Sequence, residues 1–95
     1  MKTTAKKEKS KKVNFSLLAP QAESVSIAGD FNHWDIGSHS MKKDKKGVWK
    51  VSLNLGPGIY QYNFYVDGAW QNDPHCTEYV ENPFGTLNSV KRVES

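Results

Sequence analysis

Two tryptophans stand in this sequence without an apolar stripe to bury them. Trp34 lies in a polar run after Asp30-Phe31-Asn32-His33, and Trp70 follows the Asp67-Gly68 pair between Ala69 and Gln71. Exposed large aromatics in polar surroundings mark binding surfaces more often than accidents. The plainer alternative is that both fold over one end of the domain as a lid. An indole face stacks on the weakly apolar C–H face of a pyranose ring, whose rim of hydroxyls then needs donors and acceptors. Asn63, on the outward face of the strand leading to Trp70, carries that chemistry, and Thr86 and Asn88 supply it from the last strand. Burying roughly 150–200 Å² of indole at about 25 cal/mol per Å² gives ~4–5 kcal/mol gross per tryptophan. Ordering removes much of it. A weak site, roughly micromolar to millimolar, that gains by multivalency on a polymer is expected.

The groups available for catalysis are poorer. His33, His39 and Cys76 are scattered, with only His75-Cys76 adjacent, and no metal-ligand spacing emerges. Asp30 and Asp35 could be taken for the carboxylate pair of a glycoside hydrolase. In a loop rich in Gly and Asn, however, aspartates usually cap or close turns. No Gly-rich phosphate loop precedes a helix, and no Ser/His/Asp arrangement is visible. The sequence therefore reads as a non-enzyme with no catalytic residues, metal or cofactor.

The elements that must position these residues are strands. Val13 to Leu18 alternates Val13, Phe15 and Leu17 with Asn14 and Ser16, the period-two pattern of a half-buried strand. Val25 to Gly29 reads as a second strand with Ser24, Ser26 and Ala28 outward. Residues 30–40 are loop-like, and 41–46 hold one short strand and a Lys-Lys-Gly turn. Val48 to Leu55 places Trp49, Val51, Leu53 and Leu55 on one face, which makes Trp49 core. After Gly56-Pro57-Gly58, Ile59 to Val66 turns Tyr60, Tyr62, Phe64 and Val66 inward and Gln61, Asn63 and Tyr65 outward. Asp67-Gly68 predicts a type I′ hairpin into a short strand over 69–71. Residues 72–85, with Asp73-Pro74 and Asn82-Pro83, read as a long structured loop. A last strand runs from about Thr86 to Val93, with Leu87, Ser89 and the Val90 and Val93 methyls helping the packing. No helix is convincing. Short strands at about ten-residue spacing predict an all-β, immunoglobulin-like sandwich of about seven to eight strands, held by packing alone because the antibody cysteine pair is missing.

Ninety-five residues suit one domain, with eleven aromatics to share between core and surface. The net charge of +3 is unevenly spread. Residues 1–12 carry six lysines against Glu8, a net +5, and the remainder sums to −2. We therefore divide the chain into a disordered lysine-rich tail, 1–12, and a module, 13–95. Nucleic acid, which wants positive charge on the folded body, is not an expected partner. A single cysteine fits a reducing compartment, the lysine-bearing N-terminus has no apolar signal region, and no long apolar run exists. No membrane is expected as a partner, and a cytoplasmic location is.

An ordered set of motifs runs through the chain: Val25-Ser26-Ile27-Ala28-Gly29-Asp30-Phe31-Asn32-His33-Trp34, Gly47-Val48-Trp49, Pro57 through Trp70, Asp73-Pro74, and Asn82-Pro83-Phe84-Gly85-Thr86-Leu87-Asn88-Ser89-Val90. Over about residues 13–93 it resembles the family-48 carbohydrate-binding modules. These include the glycogen-binding domain of the AMP-activated protein kinase β subunit and the N-terminal domains of isoamylases and branching enzymes. The resemblance implies an early-set immunoglobulin-like fold and non-catalytic binding of α-glucan. Two glucose-stacking tryptophans of the kinase-type members match Trp34 and Trp70. An apolar loop residue that enters the curve of the glucan matches Phe84, aromatic here where the kinase domain has leucine. A threonine and an asparagine that bond sugar hydroxyls match Thr86 and Asn88. A kinase-type lysine is replaced by Asn63, which reaches less far. The partners implied are an α-glucan (glycogen, starch, a maltooligosaccharide or a cyclodextrin) and a glucan-metabolising enzyme or kinase. A second function class is a protein-interaction or regulatory module that kept the fold as sugar binding faded. Joint survival of the tryptophans with Phe84, Thr86 and Asn88 favours the first, and the lysine replacement favours the second.

Overall fold

Period-two alternation becomes two stacked sheets in a computed structural model that describes residues 10–94. The strands are β1 (Lys11–Leu18), β2 (Val25–Gly29), β3 (Lys42–Lys43), β4 (Val48–Leu55), β5 (Gly58–Val66), β6 (Ala69–Gln71), β7 (Tyr79–Glu81) and β8 (Leu87–Val93). One sheet has the order β1-β4-β3, the other β2-β5-β8-β7, with β6 also paired to β5. Every pairing is antiparallel. The result is the immunoglobulin-like, early-set sandwich.

The core lies between the sheets. Val13, Phe15 and Leu17 of β1 and Trp49, Leu53 and Leu55 of β4 meet Val25, Ile27, Tyr62, Phe64 and Val93 from the other layer. Phe15 and Tyr62 pack edge to face across the sandwich, with centroids 5.0 Å apart. The buried Tyr62 hydroxyl donates to Asp73 Oδ2 at 2.7 Å. Burial, reinforced by that carboxylate, holds its pKa far above the usual phenol value. Trp49 is 7% exposed, and its Nε1–H donates to Ala19 O at 2.9 Å. A buried indole has its polar atom satisfied.

The structure departs from the sequence reading in four places that matter. The first strand begins at Lys11, so a boundary after residue 12 falls inside β1, and residues 1–9 lie outside those described. Ser26 and Ala28 do sit on the outer face of β2, yet both are buried, because β2 is flanked by β5 and by the 39–41 segment. There Ile27 N–H bonds His39 O and Met41 N–H bonds Val25 O. Tyr79–Glu81 forms β7 inside the expected loop, too short for alternation to announce it. Leu87 is 45% exposed and packs no core.

Turn chemistry fixes the frame. At the β5–β6 hairpin Asp67 and Gly68 have φ of 48° and 86°, the positive values a type I′ turn requires. The Asp67 carboxylate also accepts from the Glu23 and Ser24 N–H groups, at 3.0 and 2.8 Å from Oδ1, and so ties the approach to β2 to the hairpin tip. Among the described residues, no helix is long and apolar enough to cross a membrane.

Candidate functional site

The outer face of the five-stranded sheet carries a concavity of about 810 Å³. Trp34, Asn63, Trp70, Phe84, Thr86 and Asn88 all line it. These six come from two loop regions and three strands, and only antiparallel pairing brings them together.

Trp34 arrives by an unusual route. A Cβ added at Gly29 would meet Gln61 O at 2.4 Å and Tyr62 Cβ at 2.6 Å, so β2 runs too close to β5 for any side chain there. The chain then makes a 3-10 turn, Asp30–Asn32. Asn32 Oδ1 accepts from Gly29 N–H at 3.0 Å, and Nδ2 donates to Ile27 O and lies 2.9 Å from His39 Nδ1. His33 and Trp34 follow with φ of 57° and 58°. A bulky aromatic in the left-handed region is an outlier costing about 1–2 kcal/mol, kept only where its surroundings dictate it. Two bonds do so: Trp34 N–H to Gly29 O at 2.9 Å, and Nε1–H to Asp30 Oδ1 at 3.1 Å. Asp30 Oδ2 accepts from Gln61 N–H at 2.8 Å, which pins the loop to β5. Asp35 closes the next turn, accepting from Gly37 N–H and the Ser38 hydroxyl, and these donors lower its pKa.

Trp70 lies opposite Tyr65 in the β5–β6 ladder. Its ring is edge-on to both neighbours, 4.9 Å from Tyr65 and 6.0 Å from Trp34, with interplanar angles of 60° and 66°. Trp70 is 52% exposed and Trp34 part-buried. The indoles therefore form a bent platform. Phe84, 90% exposed, stands on the turn before β8.

The floor consists of amides. Asn63 shares the outer face with Gln61 and Tyr65 but is only 5% exposed. Its Nδ2 protons go to Leu87 O and Asn88 Oδ1, and its Oδ1 accepts from Asn72 Nδ2 and Ser89. The expectation of an amide facing solvent and free for a sugar hydroxyl is thus corrected: Asn63 is a buried junction whose groups are already engaged. Asn88 donates to Gln61 Oε1 at 3.1 Å and accepts from Asn63 and Asn82. Thr86 remains exposed, its hydroxyl held against the Asn82 amide. Gln61, Asn72 and Asn82 also line the concavity, as does Asp30, which acts there as an acceptor for Trp34 and Gln61. Outward phase from Asn63 marked Gln61, and Asn82-Pro83 marked a turn, but no sequence pattern shows that their amides meet.

A smaller cavity of about 310 Å³ opens on the sandwich flank, over Phe15 and Tyr62. At its edge Arg92 Nε pairs with Glu78 Oε1 at 2.8 Å, and Cys76 Sγ donates to Glu78 O at 2.9 Å.

The site is thus a pair of indoles over a polar floor on one face of an early-set sandwich. The family "Carbohydrate-binding module 48 (Isoamylase N-terminal domain)" matches residues 2–85, and this chain belongs to it. Similar curated proteins include 1,4-alpha-glucan branching enzymes GlgB. That of Trichodesmium erythraeum (strain IMS101) is 46% identical over 82 residues, 85% of this chain and 10% of that protein. That of Prochlorococcus marinus (strain NATL2A) is 35% identical over 88 residues, 93% of this chain and 11% of that protein. That of Paraburkholderia xenovorans (strain LB400) is 38% identical over 89 residues, 86% of this chain and 12% of that protein. The chain spans about a tenth of the length of these relatives.

Proposed function

We propose that this domain binds α-1,4-linked glucan of the glycogen and starch type, without catalysis, through a rim of Trp34, Trp70 and Phe84. The observation that carries the reading is the convergence of these three rings with Thr86 and Asn88 on one concavity. The 66° angle between the indoles suits consecutive glucose units that turn relative to one another, as they do along an α-1,4 chain. Thr86 and the spare Nδ2 proton of Asn88 meet sugar hydroxyls at its edge. Similarity to glucan branching enzymes supports the same substrate class and a glucan-metabolising enzyme as partner. The site works in a cytoplasmic setting where storage glucan is available. Each contact is modest, so affinity for a single short chain is low and a polymer offering many sites is retained far better. Electrophoresis in a native gel cast with glycogen tests this. Strong retardation relative to a glycogen-free gel is expected, and mobility that ignores glycogen contradicts the proposal.

A further inference from the structure

We infer that Asn82 is a positioning residue for this site: its side-chain amide holds Phe84 and Thr86 in their binding arrangement before any glucan arrives. The inference rests on the glucan-binding reading and adds a residue to it. Asn82 Oδ1 accepts from Phe84 N–H at 3.0 Å, Thr86 N–H at 3.1 Å and the Thr86 hydroxyl at 3.1 Å. Its Nδ2 donates to Thr86 Oγ1 at 2.8 Å and to Asn88 Oδ1 at 3.0 Å. The main chain closes the same loop, with Asn82 N–H bonded to Thr86 O at 2.8 Å and Gly85 N–H to Asn82 O at 3.0 Å.

The orientation of this amide follows from chemistry. Backbone N–H groups only donate, so the oxygen must face Phe84 and Thr86, and the NH₂ group must then face Asn88. Asn88 consequently presents its oxygen to Asn82 and turns its own NH₂ to Gln61 Oε1. Leu87 O only accepts, so it selects the NH₂ groups of Asn63 and Asn72. One polarity therefore runs from the loop tip to the floor of β5, and a single side chain touches three of the proposed contact residues.

Without the Asn82 side chain only the two main-chain bonds hold the turn. Phe84 is 90% exposed, and nothing lies within 4 Å of the position a Cβ would take at Gly85, which has φ of 84°. Ordering such a tip on binding costs affinity, and an existing hydrogen-bonded turn avoids that cost. Because four of its five side-chain bonds go to Phe84 and Thr86 in the turn before β8, the loss of Asn82 should be felt by ligands that reach Phe84 and not by those confined to the tryptophans.

The test compares β-cyclodextrin with maltose by calorimetry on the whole chain. Phe84→Ala sets the scale for losing the turn before β8. Asn82→Ala is expected to weaken β-cyclodextrin about tenfold, the order expected for about one to two net hydrogen bonds, and to leave maltose within about twofold. Asn82→Asp keeps the acceptor for Phe84 and Thr86 but loses the donor to Asn88, and should fall between parent and Asn82→Ala. A merely structural role would lower both affinities together, or neither. If Asn82→Ala loses its near-ultraviolet circular dichroism, Asn82→Asp decides alone on the same ratio. A cyclodextrin-to-maltose ratio equal to the parent's, in the folded variants, overturns the inference. A parent that binds neither sugar overturns instead the glucan-binding reading beneath it.

Discussion

Replacing Trp70 by Ala is expected to weaken β-cyclodextrin binding by about 30-fold or more while the domain stays folded. Trp70 offers 52% of its surface to solvent, and the Tyr65 and Trp34 rings lie at 60° and 66° to it rather than stacked on it. Little folding energy therefore depends on it, whereas a stacking indole at the centre of a weak site behaves as a hot spot of about 2 kcal/mol or more. Trp34→Ala should cost a similar factor. It gives up the bond to Asp30 Oδ1, while alanine keeps a Cβ at φ of 58° and the ring lies outside the core, so its effect on stability is small. Calorimetric titration with parallel thermal melts checks both variants. Affinities that match the parent in both would remove the rim from the account.

Trp49→Ala is expected to do the reverse. The ring sits in the core between β4 and the opposite sheet, 7% exposed, with Nε1–H bonded to Ala19 O and Lys43 Nζ 5.6 Å from its centroid. Truncation leaves a cavity and an unpaired carbonyl, together costing about 3–5 kcal/mol. A domain of this size holds only about 5–15 kcal/mol of stability, so much of it disappears. Urea denaturation followed by far-ultraviolet circular dichroism should show a large fall in midpoint at an unchanged slope. A midpoint equal to the parent's would mean that Trp49 does not fill the core. Trp70 and Trp49 thus separate binding from folding within one residue type.

Much of the frame was legible because half-buried antiparallel strands write their burial into the sequence. Val13-Phe15-Leu17 and Trp49-Leu53-Leu55 alternate cleanly, and all six are buried. Asp67-Gly68 announced its hairpin because few residues accept positive φ at both positions. Legibility failed where burial comes from a neighbour in space. Ser26 and Ala28 look solvent-facing in sequence, yet the returning 39–41 segment covers the edge of β2. Asn63 is polar and outward in phase, and only Asn72, Asn88 and Leu87 O, brought in by later strands, bury it. The tryptophans stood out because an indole in polar company has no folding reason to be there. Asn82 did not, because an Asn before a Pro is ordinary turn chemistry until its five side-chain bonds are seen.

The central claim is that the bent rim selects helically turning α-glucans over any chain that offers pyranose faces. Both Trp34 and Trp70 report on it, since each lines the concavity and a stacked sugar displaces water from the indole. Tryptophan emission should be titrated with maltoheptaose and, at equal concentrations, with cellohexaose. The β-1,4 chain has the same C–H faces but runs straight, so it cannot lie on two indoles set at 66° and also reach Phe84. A saturable change in emission with maltoheptaose and a flat trace with cellohexaose is the predicted result. Equal responses to the two chains, or none to maltoheptaose, would contradict it.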